Sequence, residues 1–356
     1  MIAPTIFIDE NIPFLAGALS SSGARIIRFN GRTLTSSDLI REQCSALFVR
    51  SITTVNSSLL VGTSVQFVGT ATAGIDHIDT QFVEKSGIHF ASAAGSNANA
   101  VAEYVIFALL ERYASIRGKT IGIIGYGNIG KRVAEYCRRL GAHILLHDLP
   151  LYAEGYDFPD WAMHCSVMQL CYDADIITNH VPLTLDGEYP TRGLLGVREL
   201  TALSPDAMII HASRGGVVDE SALLTLLRTT NAQAAIDVWV GEPLIQKELA
   251  EKAMIATPHI AGYSWNAKLA GARMMAEAYC SVSGCKADFS VFEVPHPNFH
   301  TSENERELHA ILGERRGFLA DTRLLKSTLS HAADVRAAEF DLQRKKYPER
   351  FEFLKI

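Results

Sequence analysis

The sequence lacks three features that mark specialised classes of protein. No apolar stretch reaches the roughly 18 residues of a membrane-spanning helix, which predicts a protein without a membrane partner. The 33 basic residues are outnumbered by 39 acidic ones, and the resulting charge of −6 argues against nucleic acid as the main partner. The six cysteines never form Cys-X-X-Cys, so the pattern indicates neither a zinc site nor a disulfide framework.

The amino terminus also lacks the basic region of a secretory signal, and it reaches Asp9 and Glu10 early. With 48% hydrophobic and 20% charged residues, the 356-residue chain has an ordinary globular composition. Its length suits about two or three domains. These features predict a soluble cytoplasmic protein with no metal centre.

Short β-branched and aromatic runs alternate with helix-period segments along most of the chain. A first series of strands is predicted at 5–9, 24–29, 46–50, 67–72 and 88–91. A second series is predicted at 120–124, 143–147, 175–178, 207–211, 234–237 and 254–256. Strand–helix alternation predicts parallel strands with right-handed helical crossovers, and two such series predict two α/β domains.

Two long helical segments suggest where these domains meet. Residues 96–111 join the two series, and a helix near 266–279 follows the last strand of the second series and is expected to return to the first domain. We therefore expect a substrate-binding domain from 1–96 and 265–286, and a dinucleotide-binding domain from 97–264. The charged remainder, 287–356, is too short and polar for a large core of its own and is interpreted as an appended interaction segment.

A glycine-rich loop follows the first strand of the second series and opens a helix. Gly125 permits the tight turn, Gly127 lets the backbone approach a pyrophosphate, and Gly130 allows close helix–strand packing. The free N–H groups at the start of the helix would bind the phosphates. The predicted contacts in this loop are Gly125, Gly127, Asn128, Ile129 and Gly130.

Asp148 ends the next strand, 18 residues after Gly130. A carboxylate there can accept hydrogen bonds from the ribose hydroxyls of NAD and would repel the 2′-phosphate of NADP. The alternative is a glycine-rich turn with a solvated aspartate. The combination of strand, loop, helix and acid favours NAD as cofactor.

Three residues that could carry chemistry follow strands of the second series: Arg214, Glu242 and His259. The carboxyl ends of parallel strands line the ligand crevice, so we expect all three near the nicotinamide. An imidazole can accept the hydroxyl proton of a 2-hydroxy acid, a carboxylate can orient that imidazole, and a guanidinium can bind the substrate carboxylate. Taken singly, each residue has a structural alternative: a hydrogen-bonded core histidine, a surface ion pair or a turn cap.

These motifs resemble the D-isomer-specific 2-hydroxyacid dehydrogenases. The resemblance covers most of residues 1–286 and is carried by five strings, at 97–103, 125–130, 213–219, 237–243 and 257–259. It implies a fold of two Rossmann-like or flavodoxin-like parallel-sheet domains with a cleft between them. It also implies an NAD-dependent oxidation in which Arg214, Glu242 and His259 are catalytic.

The resemblance further implies roles for individual binding residues. Asp148 would bind the adenosine ribose. The nicotinamide half would contact the backbone around Ala212, Ser213 and Arg214, together with Asp237 and Gly262. Ser51, Thr72 and Tyr263 would contact substrate. Arg50 is our own candidate for a phosphate ligand, with a structural ion pair as its alternative.

Longer strings at 49–53, 67–77, 259–263 and 340–347 are most similar to the branch of the family that oxidises a phosphorylated four-carbon sugar acid in pyridoxal phosphate biosynthesis. This branch implies a small C-terminal dimerisation segment and a homodimer, although the segment is short here. Val181 stands where the family usually has a hydroxyl residue beside the cofactor, so we assign it no polar contact. The alternatives are a 3-phosphoglycerate or simple hydroxy-acid dehydrogenase, and a non-catalytic NAD-sensing scaffold.

Overall fold

The computed structural model describes residues 3–293 and 304–354. The strands are β1 (Thr5–Asp9), β2 (Arg25–Phe29), β3 (Cys44–Val49), β4 (Phe67–Thr70), β5 (His89–Ser92), β6 (Thr120–Ile124), β7 (His143–His147), β8 (Ala162–His164), β9 (Ile176–Asn179), β10 (Met208–His211), β11 (Gln233–Ile236) and β12 (Ile255–Ala256). The α-helices are α1 (Leu15–Ala18), α2 (Ser36–Arg41), α3 (Ser57–Leu60), α4 (Thr80–Lys85), α5 (Ala98–Arg112), α6 (Asn128–Arg139), α7 (Leu149–Ala153), α8 (Val167–Asp173), α9 (Val197–Thr201), α10 (Glu220–Thr229), α11 (Lys247–Lys252), α12 (Trp265–Ser283), α13 (Glu305–Arg316), α14 (Phe318–Thr328) and α15 (Ala333–Lys345).

The described chain divides into two compact units. The first unit contains residues 3–97 and 264–293, and the second contains 98–263 and 304–354. Each unit is built on one parallel sheet, which confirms the predicted α/β class with two parallel-sheet domains.

The sheet of the first unit has the order β2-β1-β3-β4-β5, with every neighbouring pair parallel. Successive side chains along β1 enter different apolar clusters: Ile6 and Ile8 lie in one, and Phe7 lies in the other. This alternation shows that both faces are covered, as an all-parallel sheet requires. The helix α12, which follows the second series of strands in the sequence, packs within the first unit.

The sheet of the second unit has the order β12-β11-β10-β9-β6-β7-β8, and all its pairs are parallel. The order reverses between β6 and β9, which is the switch point where open α/β sheets bind dinucleotides. Residues Ile124, Asn179, His211, Ile236 and Ala256 are register partners across five neighbouring strands. The loops after these strands therefore start from one edge of the sheet.

The expected tail is divided between the two units: residues 287–293 belong to the first unit and residues 304–354 to the second, and neither part forms a core of its own. Leu312 and Phe318 lie in the apolar cluster on one side of the sheet, and Phe340 lies in the cluster on the other side. Residues 294–303, within the expected interaction segment, fall outside the described residues. The dimerising role of the tail stays a prediction.

No helix in the described ranges is both long and apolar enough to cross a membrane. Within the same ranges, no cluster of three histidine, cysteine or acidic side chains could hold a metal ion. All six cysteines are free thiols.

Candidate active site

The glycine loop between β6 and α6 has the geometry that a pyrophosphate needs. Gly125 has a φ of 90°, in the left-handed region, and a side chain there would collide with the backbone of His180. A Cβ on Gly130 would clash with the carbonyl oxygen of Gly125. A Cβ on Gly127, by contrast, would meet nothing within 4 Å, so the backbone is open to a ligand at this one position.

The amino terminus of α6 offers donors to such a ligand. Gly127 is the N-cap and supplies no side-chain oxygen, so no side chain caps this 12-residue helix. The first-turn N–H groups of Asn128, Ile129 and Gly130 face the loop without an intrahelical acceptor, as at any helix start. Such donors and the helix dipole favour a phosphate. These residues therefore fit the pyrophosphate of a dinucleotide.

Asp148 follows β7, which lies beside β6 in the sheet. Its carboxylate forms hydrogen bonds with the glycine loop and with the first turn of α7. Oδ2 accepts a hydrogen bond from the N–H of Tyr126 at 2.7 Å, and Oδ1 accepts one from Leu151 at 3.1 Å as the N-cap of α7. These contacts hold the carboxylate next to the glycine loop. Its predicted role as the ribose ligand is compatible with this position and stays a prediction.

Glu242 and His259 are in direct contact. Nδ1 of His259 lies 2.8 Å from Oε2 of Glu242, so the ring donates to the carboxylate and presents Nε2 for proton transfer. The His259 side chain is 32% exposed and that of Glu242 is 19% exposed. The two residues come from the loops after β11 and β12, which are neighbouring strands.

The second oxygen of Glu242 is also occupied, because Oε1 accepts the N–H of Trp239 at 2.9 Å. Burial alone would raise the pKa of Glu242, but the hydrogen bond and charge of His259 outweigh it and place this pKa below its usual value. Glu242 is thus an ionised carboxylate with a fixed orientation. A fixed anion beside an imidazole stabilises the protonated ring.

Asp237 anchors the loop that carries His259. Its fully buried carboxylate accepts hydrogen bonds from the hydroxyl of Thr257 at 2.6 Å, the N–H of Ile260 at 2.7 Å and the N–H of Ala261 at 2.9 Å. The carbonyl of Asp237 also accepts the N–H of His259 at 2.8 Å. These bonds hold His259 at a φ of 57°, a left-handed conformation that is uncommon for a residue with a side chain. A contact between Asp237 and the nicotinamide stays a prediction.

Arg214 follows β10, the neighbour of β11, and its Nη1 donates to the carbonyl of Ser213 at 2.7 Å. The Ser213 hydroxyl donates to Oδ1 of Asn179, which is also 3.1 Å from Nδ1 of His211. These contacts fix the backbone from Ala212 to Arg214 at the end of β10. The sheet edge thus carries all three candidate catalytic residues, with Glu242 and His259 in contact and Arg214 on the adjacent strand.

Gly262 and Tyr263 complete the loop after His259, and the C-terminal tail supports them. Arg316 of α13 donates through Nη2 to the carbonyl of Tyr263 at 3.2 Å. The ring of Tyr347, just after α15, packs edge-on against that of Tyr263 with the centroids 5.6 Å apart. The tail therefore braces a predicted substrate residue, which the sequence reasoning did not anticipate.

The remaining predicted substrate residues lie in the first unit, where Arg50 and Ser51 directly follow β3. Thr72 follows β4, the neighbour of β3 in the sheet. The Thr72 hydroxyl lies 2.8 Å from that of Thr70, which lies 3.0 Å from Nε2 of His77. Ser51 and Thr72 thus occur at one edge of this sheet, and their contacts with substrate stay predictions.

Sequence reasoning missed several residues that shape the site. Thr257, Trp239 and Asn179 orient the loops through hydrogen bonds, and their types carry little signal by themselves. Arg316 pairs with Glu103 through fully buried side chains at 2.8 Å. A charged residue in a polar tail gives no sequence signal that it will be buried.

Comparisons with known proteins agree with this geometry. The family model described as "D-isomer specific 2-hydroxyacid dehydrogenase, NAD binding domain" matches residues 105–261. The chain is 38% identical over 355 residues to an erythronate-4-phosphate dehydrogenase of Acinetobacter baumannii, covering 98% of this chain and 97% of that one. It is 39% identical to a protein of the same name from Proteus mirabilis, covering 98% and 92%.

A solved structure shows the same fold. The D-lactate dehydrogenase of Aquifex aeolicus, complexed with NAD and lactic acid, superimposes with a TM-score of 0.62 and 21% identity, covering 79% of this chain and 96% of that one. Together with the full-length relatives, the matched NAD-binding domain settles the family and the cofactor. The chain belongs to the D-isomer-specific 2-hydroxyacid dehydrogenases and is an NAD-dependent oxidoreductase of that family.

Proposed function

We propose that this enzyme oxidises 4-phospho-D-erythronate at C2 to 2-oxo-3-hydroxy-4-phosphobutanoate, with NAD as oxidant, in pyridoxal 5′-phosphate biosynthesis. The observation that carries the substrate assignment is the similarity, over 98% of the chain, to enzymes named for this substrate. The Glu242–His259 pair supports the reaction type, because a 2-hydroxy acid needs a base for its hydroxyl proton.

In this mechanism Nε2 of His259 accepts the hydroxyl proton while C2 is oxidised. Glu242 holds the ring through Nδ1 and stabilises the positive charge that the ring acquires. NAD, when bound, supplies the acceptor for the hydride that leaves C2. Arg214 binds the substrate carboxylate and polarises the oxygen on C2 with paired N–H donors.

In this proposal the two units have different roles. The first unit would bind substrate through Ser51 and Thr72, with Arg50 as a candidate phosphate ligand, and the second would bind NAD and supply Tyr263. The proposal keeps the domain boundaries expected from the sequence, 1–96 with 265–286 and 97–264.

A homodimer and a cytoplasmic location complete the proposal. Exposed apolar side chains on α14 and α15 support a role of the tail in dimerisation: Leu324 is 52% exposed, Val335 is 41% exposed and Leu342 is 37% exposed. Six free thiols suit a reducing compartment. Light scattering after size exclusion would test the dimer, and Leu324→Glu should shift the mass towards that of a monomer.

The substrate is tested by following NADH formation with 4-phospho-D-erythronate, 3-phosphoglycerate and D-lactate under the same conditions. We expect the largest kcat/KM with 4-phospho-D-erythronate. Faster turnover of 3-phosphoglycerate would instead assign the chain to another activity of its family.

The catalytic base is tested separately by His259→Gln, with His143→Gln as the matched control because His143 is exposed at the start of β7. His259→Gln should lower kcat by about 100-fold or more, within the range that general-base catalysis supplies. Full activity in His259→Gln would contradict the mechanism and favour a non-catalytic NAD-sensing scaffold.

A further inference from the structure

One face of helix α15 runs along the loops that carry the site. Phe340 and Arg344 are four residues apart in α15 and therefore share one side of this helix, and Tyr347 follows directly after its C-cap, Lys346. Phe340 is buried in the same apolar cluster as Trp239 and Ile245, which flank Glu242 in the sequence. Tyr347, just beyond the end of the helix, packs against Tyr263. Arg344 therefore lies between the Glu242 loop and Tyr263.

The surroundings of Arg344 are acidic, but their acidic groups are already engaged. Both oxygens of Glu242 accept hydrogen bonds, from His259 and from Trp239. Both oxygens of Asp237 accept hydrogen bonds within its own loop. Among the described residues no carboxylate lies within ion-pair distance of Arg344, and its buried Nε has no hydrogen-bond partner.

The charge of Arg344 nevertheless acts on this site. Burial alone would lower the pKa of Arg344, but Tyr263, Glu242 and Asp237 raise it, so the guanidinium stays charged. Arg344 in turn contributes to the lowered pKa of Glu242. A partly buried cation without a carboxylate partner is costly unless an anion comes to it.

We propose that Arg344 binds an anionic oxygen group of the substrate, the phosphate or the carboxylate, beside Tyr263. A guanidinium suits this task because its planar set of N–H donors matches phosphate and carboxylate oxygens in pairs. The C-terminal tail would then supply part of the substrate site. This inference rests on the proposed function and adds to it a substrate ligand in the tail.

The test compares Arg344→Gln and Arg344→Lys with Lys345→Gln, which removes one charge from an exposed position on the same helix. For each protein, kcat and KM are measured at saturating NAD with 4-phospho-D-erythronate and with D-erythronate, which lacks the phosphate. The Kd of NAD and the melting temperature serve as controls for folding. The wild-type rate with 4-phospho-D-erythronate tests the proposed function before any variant is compared.

If Arg344 binds the phosphate, Arg344→Gln should raise the KM for 4-phospho-D-erythronate by about 10- to 100-fold. The KM for D-erythronate should then stay within about twofold of the wild-type value. If it binds the carboxylate, the KM of both acids should rise together. In either case kcat, NAD binding and melting stay close to those of the wild type. Arg344→Lys should recover part of the loss, because it keeps the charge but not the paired donors.

An unchanged KM for both acids would overturn the proposal, as would an equal effect of Lys345→Gln. A loss confined to NAD binding or melting temperature would also overturn it and would assign Arg344 a structural role. Protection by inorganic phosphate gives a readout that does not depend on turnover. Phosphate should raise the melting temperature of the NAD-loaded wild type more than that of Arg344→Gln if the phosphate is the bound group.

Discussion

Replacing Glu242 by glutamine changes the chemistry of the proton-transfer pair with little change in shape. The amide oxygen can still accept the N–H of Trp239, which turns the amide NH2 towards Nδ1 of His259. Nδ1 must then act as acceptor, so the ring proton moves to Nε2, the nitrogen that should take the substrate proton. The variant therefore loses both a charge and the productive tautomer.

The magnitude follows from the contact distance and the exposure of the pair. Opposite charges about 4 Å apart at an effective dielectric constant of about 20 attract by about 4 kcal/mol. Solvent reduces this attraction, since the His259 side chain is 32% exposed and that of Glu242 is 19% exposed. A remaining loss of about 2–3 kcal/mol in the transition state lowers kcat by about 30- to 160-fold.

The assay is steady-state NADH formation with saturating NAD, and Glu220→Gln is the matched control. Glu220 is a buried carboxylate that accepts the N–H of Val240 from the same loop but does not contact His259. Its variant should keep kcat within about threefold, as expected for loss of a single non-catalytic hydrogen bond. Retained activity in Glu242→Gln, or an equal loss in Glu220→Gln, would refute the role assigned to this carboxylate.

Three further perturbations test other parts of the second unit. Gly127→Ala should raise the Kd of NAD, measured by titration, by about tenfold or more without changing the melting temperature. The added Cβ has no protein atom within 4 Å, but it would clash with a bound pyrophosphate. Arg316→Met should lower the free energy of unfolding, measured in urea, by about 3–5 kcal/mol, because the substitution leaves the buried Glu103 carboxylate without its cation. Burial and the charge of His259 lower the pKa of His211 to about 3. Below the unfolded pKa of about 6.5, the folded protein therefore binds fewer protons than the unfolded chain. The free energy of unfolding accordingly decreases as the pH falls. In urea unfolding, the free energy of unfolding of the wild type should therefore fall by about 1 kcal/mol more than that of His211→Gln between about pH 6.5 and 5.5.

The sequence pattern predicted most strands because their signal is local. Buried parallel strands are short apolar runs, and β6 and β7 coincide with the predicted 120–124 and 143–147. The rule that ligands bind beyond the carboxyl ends of such strands then located Glu242 and His259. Their contact confirms that the two side chains meet, while their catalytic roles stay predictions.

Features that depend on tertiary contacts were not predictable in this way. The three-residue strand β8 has no apolar run of its own and forms only as the partner of β7. The helix α14 begins directly after Gly317, which ends α13, so two helices look like one charged stretch in the sequence. Arg344 begins a run of three basic residues that resembles a solvated surface, and only the packing of α15 places it beside Tyr263.

The anchoring of the His259 loop by Asp237 suggests how members of this family could change specificity. His259, its hydrogen-bonded partner Glu242 and the anchor Asp237 all belong to the second unit, on loops after two adjacent strands. Of the residues proposed to bind substrate, Ser51 and Thr72 belong to the first unit, whereas Tyr263 and Arg344 belong to the second. A chimaera with the first unit of a lactate-oxidising relative should therefore keep its proton-transfer pair and change only the part of substrate recognition that the first unit supplies.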